Sequence, residues 1–171
     1  MVNATYESPD GELFERDVVR SPGAVAVVPL LFEDGVPMVV FVRQYRGALD
    51  QMVLEIPAGM CDVEGEPPEL TAGRELIEEA GFSAGRIEYL THFYSAVGMT
   101  DSMLHVYVGT ELTPVARDVH GIEESHMDVS KMPLADAVEM VVRGEINDSK
   151  TVIGLLLVDR QVREGTLVPG S

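Results

Sequence analysis

The sequence lacks the features of several large classes of protein. Cys61 is the only cysteine among 171 residues, so no intrachain disulfide can form and a cysteine-based zinc site is not expected. The longest apolar run covers residues 24–32, far short of the ~20 residues of a membrane helix. The polar, acidic residues 1–17 do not have the composition of a secretory signal. We therefore expect no membrane segment and a cytoplasmic location.

Basic residues are also scarce. The chain has 12 Lys and Arg against 29 Asp and Glu, a formal net charge of -17. Such a surface repels nucleic acids and anionic membranes, so neither is expected as a partner. Residues 55–82 carry eight acidic side chains and only one basic one, Arg74. The surplus either keeps the surface solvated or, in this segment, forms part of a cation site.

What the sequence does contain is enough apolar residues, 46% of the chain, for the core of one domain. Apolar runs and turn residues predict strands, and helical spacing with Gly and Pro at the ends predicts helices. The predicted strands cover residues 2–8, 13–20, 24–32, 37–43, 52–56, 87–94, 103–110 and 128–132. The predicted helices cover residues 67–80, 134–143 and 150–163. This mixture indicates an α/β/α sandwich or an α+β domain with a mixed sheet.

The helix at residues 67–80 has two chemically different faces. At about 100° per residue, one arc is apolar or small: Leu70, Gly73, Leu76, Ile77 and Ala80. Glu75, Glu78 and Glu79 lie on the opposite side, where their charges repel and Arg74 offsets only part of the repulsion. Carboxylate oxygens in this arrangement suit Mg²⁺ or Mn²⁺. The alternative is an acidic helix face that only contacts water.

The spacing around this helix favours the cation site. Gly59 is followed by six residues, Glu66, seven residues, and then RELIEEAGF at 74–82. This pattern resembles the Nudix box, and all eight specified positions from Glu66 onward match it. The box has five residues rather than six before Glu66, a loop difference that should leave the helical carboxylates in place.

Segments outside the box resemble the ADP-ribose pyrophosphatase branch of the Nudix superfamily. They read SPGAVAV at 21–27, VRQYR at 42–46, LEIPAG at 54–59, GMTD at 98–101 and RGEI at 143–146. The resemblance implies a Nudix α/β/α sandwich over residues 23–171. It also implies that residues 1–22 are a short N-terminal β extension that contacts the partner of a homodimer.

The resemblance implies a Mg²⁺-dependent pyrophosphohydrolase, with Mn²⁺ as a possible replacement. The expected partner is a small nucleoside diphosphate-linked substrate: ADP-ribose or a related sugar, cleaved to a nucleoside monophosphate and a sugar phosphate. Residues 95–98 read SAVG, without the proline of many ADP-ribose hydrolases, so a dinucleotide cofactor or an oxidised nucleoside triphosphate stays open as substrate. A non-catalytic nucleotide sensor is less favoured, because all three helical carboxylates are present.

The resemblance also assigns the metal site. Glu75 and Glu79 are the leading metal ligands, and Glu79 is counted among the catalytic residues. Glu78 is a third ligand or the partner of Arg74, and the backbone carbonyl of Ala58 completes the set.

Other residues receive roles in binding, catalysis or the geometry of the motif. Arg46 should bind substrate phosphate through its planar fork. Glu55 should either support the residues that touch the substrate or contact the nucleotide itself. A loop glutamate should act as general base, and we favour Glu124 over Glu123. Three motif residues are expected to be structural: Gly59, Arg74 and Gly81.

Overall fold

The computed structural model describes residues 1–117 and 127–168. Its strands, in chain order, are β1 Val2–Glu7, β2 Leu13–Val18, β3 Ala24–Glu33, β4 Val36–Arg46, β5 Gln51–Glu55, β6 Ala58–Met60, β7 Phe82–Tyr94, β8 Met103–Pro114 and β9 Asp128–Pro133. The helices are α1 Pro68–Glu75, which continues as a π-helical turn over Leu76–Ala80, then α2 Leu134–Val142 and α3 Ser149–Arg163.

Seven of these strands form one mixed sheet. The main order is β5-β4-β3-β8-β7, with β6 paired to β3 and β9 paired to β4. β3 and β8 run parallel, whereas the other pairs are antiparallel. The β3–β4 hairpin turns at Asp34 and Gly35, both at positive φ, as a tight hairpin turn requires. The predicted mixed sheet is confirmed.

Alternating side chains of β3 reach two separate apolar cores. Val25 and Val27 pack with α1 on one side of the sheet. Ala26 and Val28 pack with α2 and α3 on the other. Because strand side chains alternate between faces, each face needs its own cover, and the helices provide it. The predicted α/β/α sandwich is therefore the fold.

The helix carrying the acidic motif lies where the spacing predicts, but it is rotated about its axis. Its buried positions are Thr71, Ala72, Glu75, Leu76, Glu79 and Ala80. Leu70, predicted to face the core, is 63% exposed. The prediction that the carboxylates lie opposite the buried face is therefore wrong for Glu75 and Glu79. The pattern of apolar and charged residues along a helix predicts that charged side chains face solvent. Here Glu75 and Glu79 lie on the buried side of the helix instead.

Two boundaries also differ from the predictions. β7 begins at Phe82 rather than at residue 87, because Gly85 and Arg86 interrupt the apolar pattern without interrupting the strand. β6 lies outside the predicted strands and pairs with the start of β3. Among the described residues, no helix is long and apolar enough to cross a membrane.

β1 and β2 form a two-stranded sheet of their own. Val19, the residue after β2, contacts the loop before β8. The N–H of Val19 donates to Met99 O at 2.8 Å. Arg20 forms a salt bridge with Asp101 at 2.8 Å. Most side chains of the hairpin are exposed. The division into residues 1–22 and 23–171 stays a prediction.

Candidate active site

The two leading carboxylates lie between α1 and the β6 segment. Glu75 is 9% exposed and Glu79 only 6%. A Cβ placed on Gly59 would lie 2.1 Å from the Glu75 carboxylate carbon, a distance that no side chain tolerates. Glycine in β6 therefore leaves the space that the Glu75 carboxylate fills, which accounts for its place in the motif.

Glu79 is held by backbone and by electrostatics. The Ala58 N–H donates to its Oε2 at 2.8 Å. Burial raises the pKa of Glu79 to about 7, the neighbouring Glu75 acts in the same direction, and the Ala58 hydrogen bond opposes the rise. A carboxylate that is costly to ionise in this place gains most from a nearby cation.

Arg74 gathers the other acidic side chains of the motif. Its Nη1 donates to Glu75 at 2.8 Å and to Glu78 at 3.0 Å. Its Nη2 lies 3.4 Å from Glu66, which also accepts a 2.7 Å bond from the Thr71 hydroxyl. The longer loop before Glu66 thus still brings this residue into the network.

The donor set fits a hard divalent cation. Four carboxylates belong to the motif, one just before its helix and three along the helix to its last turn, and oxygen is the ligand that Mg²⁺ and Mn²⁺ prefer. In the described ranges, no three His, Cys, Asp or Glu side chains are drawn together tightly enough to ligate one ion. Arg74 supplies the counter-charge in this conformation. Glu75 and Glu79 would be the leading ligands of such a cation.

A second charged network lies on β4, β5 and the start of α3. Arg46 binds Glu55 through two parallel bonds of 2.7 Å, from Nε and from Nη2. Lys150 also donates to Glu55, and it lies 3.0 Å from Asp148. Glu55 is only 2% exposed. Burial alone would raise its pKa, but the bonds from Arg46 and Lys150 outweigh that effect and hold its pKa below the usual value.

The start of α3 fixes Lys150 in this network. Asp148 caps the helix by accepting from the Thr151 N–H at 3.1 Å and from the Thr151 hydroxyl at 2.6 Å. The Thr151 hydroxyl also accepts from the Ile56 N–H at 3.0 Å. The first turn of α3 is therefore hydrogen-bonded to the residue that follows β5. Further along α3, a Cβ on Gly154 would lie 2.7 Å from Val28, so the helix sits close to the sheet.

Sequence reasoning missed Lys150. It took residues 150–163 only as a helix and assigned no role to its first lysine. A signal was present, because Lys150, Gly154 and Val158 follow each other at i, i+4 and i+8 on one side of the helix. A lysine on the buried side of a helix needs an acidic partner.

A cleft adjoins the network around Glu55. The cleft has a volume of about 450 Å³ and is lined by residues that include Arg46, Glu55, Asp148 and Lys150. The positive charges of Arg46 and Lys150 act against the rise in the pKa of Glu79 that burial causes. The charged side chains that line the cleft are thus two basic ones, Arg46 and Lys150, and two acidic ones, Glu55 and Asp148. Of these, the planar fork of Arg46 suits a phosphate group.

Gly81 ends the motif helix in the left-handed region, with φ 73°. A Cβ there would lie 2.9 Å from Cγ of Arg117, whose Nη1 donates to the Met127 carbonyl at 3.2 Å. These contacts agree with a structural role for Gly81. The two candidates for the general base, Glu123 and Glu124, lie outside the described residues.

An α/β/α sandwich whose motif helix carries a cluster of carboxylates is the architecture of a Nudix domain. The NUDIX domain model matches residues 20–153, so the chain belongs to the Nudix family.

Two curated relatives are ADP-ribose pyrophosphatases. The one from Mycobacterium tuberculosis (strain ATCC 25618 / H37Rv) is 41% identical over 150 residues, which cover 88% of this chain and 71% of the relative. The one from Bacillus subtilis (strain 168) is 36% identical over 149 residues, covering 87% and 78%. A solved structure described as an ADP compounds hydrolase aligns with a TM-score of 0.77 at 24% identity, covering 95% of this chain and 85% of that one. That likeness supports the fold.

Proposed function

We propose that the protein is a Mg²⁺-dependent pyrophosphohydrolase of ADP-ribose or a related nucleoside diphosphate sugar. Mn²⁺ would be able to replace Mg²⁺. With ADP-ribose the products would be AMP and ribose 5-phosphate. The observation that carries the proposal is the placement of Glu75 and Glu79 beside Ala58 and Gly59, next to a cleft that Arg46 and Lys150 line. The ADP-ribose pyrophosphatase relatives support the choice of substrate class.

The reaction adds water across the diphosphate: an oxygen bonds to one phosphorus, and the bridging P–O bond breaks. When bound, a divalent cation neutralises phosphate charge and lowers the pKa of the attacking water. Glu75 and Glu79 would hold it, with Glu78 and the Ala58 carbonyl as further ligands. Arg74 would keep the carboxylates of Glu75 and Glu78 oriented through the bonds it makes in the structure.

Arg46 and Lys150 would bind the substrate's negative charge in the cleft that they line. Glu55 takes Nε and Nη2 of Arg46, so Nη1 is the atom that we assign to a substrate phosphate. The fixed pairing with Glu55 orients the guanidinium before the substrate arrives, which lowers the entropy cost of binding. Glu55 itself is a positioning residue in this proposal, and Lys150 fixes its carboxylate by donating a hydrogen bond to it.

The general base would be Glu124, with Glu123 as the alternative. A base must come within about 2.6–3.2 Å of the water or reach it through a bridge. Separate alanine substitutions distinguish the two, because loss of the base should lower kcat by roughly 100-fold or more whereas the neighbour should matter little. Equal, small effects of both substitutions would show that the base lies elsewhere.

We also propose a cytoplasmic homodimer. The hairpin of β1 and β2 exposes apolar side chains, among them Met1, Leu13 and Phe14, and a two-stranded hairpin is marginal in water by itself. A second copy of the chain is the partner that we infer for this surface. The lone cysteine agrees with a reducing compartment.

A substrate panel tests the proposed activity. The protein would be incubated with ADP-ribose, nucleotide sugars, a reduced dinucleotide and oxidised dGTP, each with Mg²⁺ and with chelator, and the products separated by chromatography. We expect Mg²⁺-dependent release of AMP from ADP-ribose with the highest kcat/KM in the panel. Faster cleavage of the dinucleotide or of oxidised dGTP would show that this compound, and not ADP-ribose, represents the preferred class of substrate. No cleavage of any compound would favour a nucleotide sensor.

A further inference from the structure

A β-bulge places a tyrosine and a histidine on the same side of the sheet. The register of β7 against β8 shifts between Tyr89 and Thr91. In a regular strand, residues three apart point to opposite faces, but one extra residue at a bulge restores the match. Tyr89 and His92 therefore face the same way, and the Tyr89 hydroxyl is hydrogen-bonded to Nδ1 of His92.

His92 also faces a second histidine across the strand pair. His92 and His105 are direct register partners, and their ring centroids are 5.9 Å apart. His92 is exposed and His105 is half-buried, so the pair is reachable from solvent. The pKa of His105 is lowered by its burial and by the neighbouring His92. A neutral imidazole is the form that binds metal ions.

We propose that His92 and His105 form a binding site for a borderline transition metal ion such as Zn²⁺, Ni²⁺ or Cu²⁺. Each histidine would supply one ring nitrogen, and water would complete the coordination. Metal–nitrogen bonds of about 2.0–2.1 Å in tetrahedral geometry put the two ring centroids roughly 5 Å apart. The observed distance between the centroids is 5.9 Å, within about 1 Å of that value.

Tyr89 defines which nitrogen of His92 takes the metal. Its hydroxyl occupies Nδ1, so Nε2 is the nitrogen left for the ion. With a metal on Nε2, Nδ1 carries the proton and donates to the Tyr89 oxygen. Such a hydrogen bond to a ligating imidazole orients the ring and raises its basicity. Imidazole prefers these borderline ions, so the site differs in chemistry from the carboxylate cluster on the motif helix.

Calorimetric titration with Zn²⁺ tests the site, using untagged protein and saturating Mg²⁺ so that the carboxylate cluster is already occupied. We expect one Zn²⁺ per chain. H92A and H105A should each weaken binding at least about tenfold, and Y89F, which keeps the ring, by a smaller factor. Circular dichroism would verify that each variant is folded, and H105Q provides a polar replacement should H105A unfold.

The matched control is E79Q, which alters the carboxylate cluster and leaves both histidines intact. It should bind Zn²⁺ as the unaltered protein does. Paramagnetic Ni²⁺ should at the same time broaden the imidazole NMR signals of His92 and His105. The proposal is overturned if Zn²⁺ does not bind, if either histidine variant binds it unchanged, or if E79Q abolishes the binding.

Discussion

Gly59 is the residue that most directly sets the position of a candidate metal ligand. Any side chain there would enter the space of the Glu75 carboxylate. We therefore expect G59A to displace Glu75 and to lower kcat by roughly tenfold or more, because small misplacements of catalytic groups are costly. The measurement is steady-state cleavage of ADP-ribose at saturating Mg²⁺.

Gly98 provides the control for that substitution. A Cβ at Gly98 would meet no atom within 4 Å, and its φ is not positive. G98A should therefore retain the stability and kcat of the unaltered protein. If G59A were as active as G98A, the close approach of Gly59 to Glu75 would have no bearing on catalysis.

The buried carboxyl of Glu79 makes stability depend on pH. Its pKa rises from 4.5 to about 7 on folding, so the folded state holds the proton more tightly than the unfolded state. Its contribution to stability is full below pH 4.5 and is lost as pH rises toward 7 and above. This loss amounts to at most about 3 kcal/mol.

Urea unfolding of the metal-free protein at pH 5 and at pH 8, with chelator present, measures this dependence. We expect E79Q, which has no ionisable group at that position, to show a smaller fall in unfolding free energy between the two pH values. An equal fall in both proteins would assign the pH dependence to other groups.

At the residue scale, the motif spacing predicts the helical carboxylates as a metal-binding group, and that role stays a prediction; the spacing could not predict that Glu75 and Glu79 are buried. Charged residues are assigned to solvent by every pattern rule, whereas Glu75 and Glu79 face the sheet beside β6. That placement depends on the absence of a side chain at Gly59 and on the N–H of Ala58. Both contacts are between segments far apart in sequence.

At the scale of the elements, Glu55 connects β5 to β4 and to α3. Its two partners, Arg46 on β4 and Lys150 on α3, come from different elements. Removing one partner of a buried ion pair typically costs about 3–5 kcal/mol. We expect K150M to lower the unfolding free energy by an amount in the lower part of that range, since Arg46 still pairs with Glu55.

A double-mutant cycle tests this coupling by urea unfolding. K150M removes one of the two cationic partners of Glu55, and E55Q removes the carboxylate that has lost this partner, so the double variant should be more stable than the sum of the two single effects predicts. Because residues in contact usually couple by about 0.5–3 kcal/mol, strict additivity would mean that the pair contributes nothing.

Most strands and helices were predictable because their patterns are local. The β3–β4 hairpin, for example, is signalled by apolar runs on either side of Asp34-Gly35. β6 was not predictable, because its three residues form a strand only by pairing with β3. The same limit explains the rotation of the motif helix, whose buried side is decided by what the sheet presents and not by its own composition.

At the scale of the whole molecule, the exposed hairpin of β1 and β2 predicts self-association. Leu13 on β2 and Val142 on α2 are both 73% exposed, which makes them a matched pair for testing where the partner binds. We expect L13D to convert a dimer to a monomer and V142D to leave it intact. Light scattering after size-exclusion chromatography gives the molar mass directly.

A monomer in the unaltered protein at micromolar concentration would contradict the dimer proposal. Dissociation by V142D but not by L13D would instead place the interface on α2. The net charge of -17 opposes association of like molecules, so the apolar side chains must outweigh that repulsion, and added salt should strengthen the dimer.

The acidic composition of the molecule is compatible with an anionic substrate only if a cation reverses the charge of the site. That requirement is the central claim, and Glu79 is its most direct probe. The decisive measurement is the rate of AMP release from ADP-ribose by the unaltered protein and by E79Q at saturating Mg²⁺. We predict a loss of roughly 100-fold or more in kcat for E79Q, with the fold retained by circular dichroism. Near-normal turnover by E79Q would contradict the account.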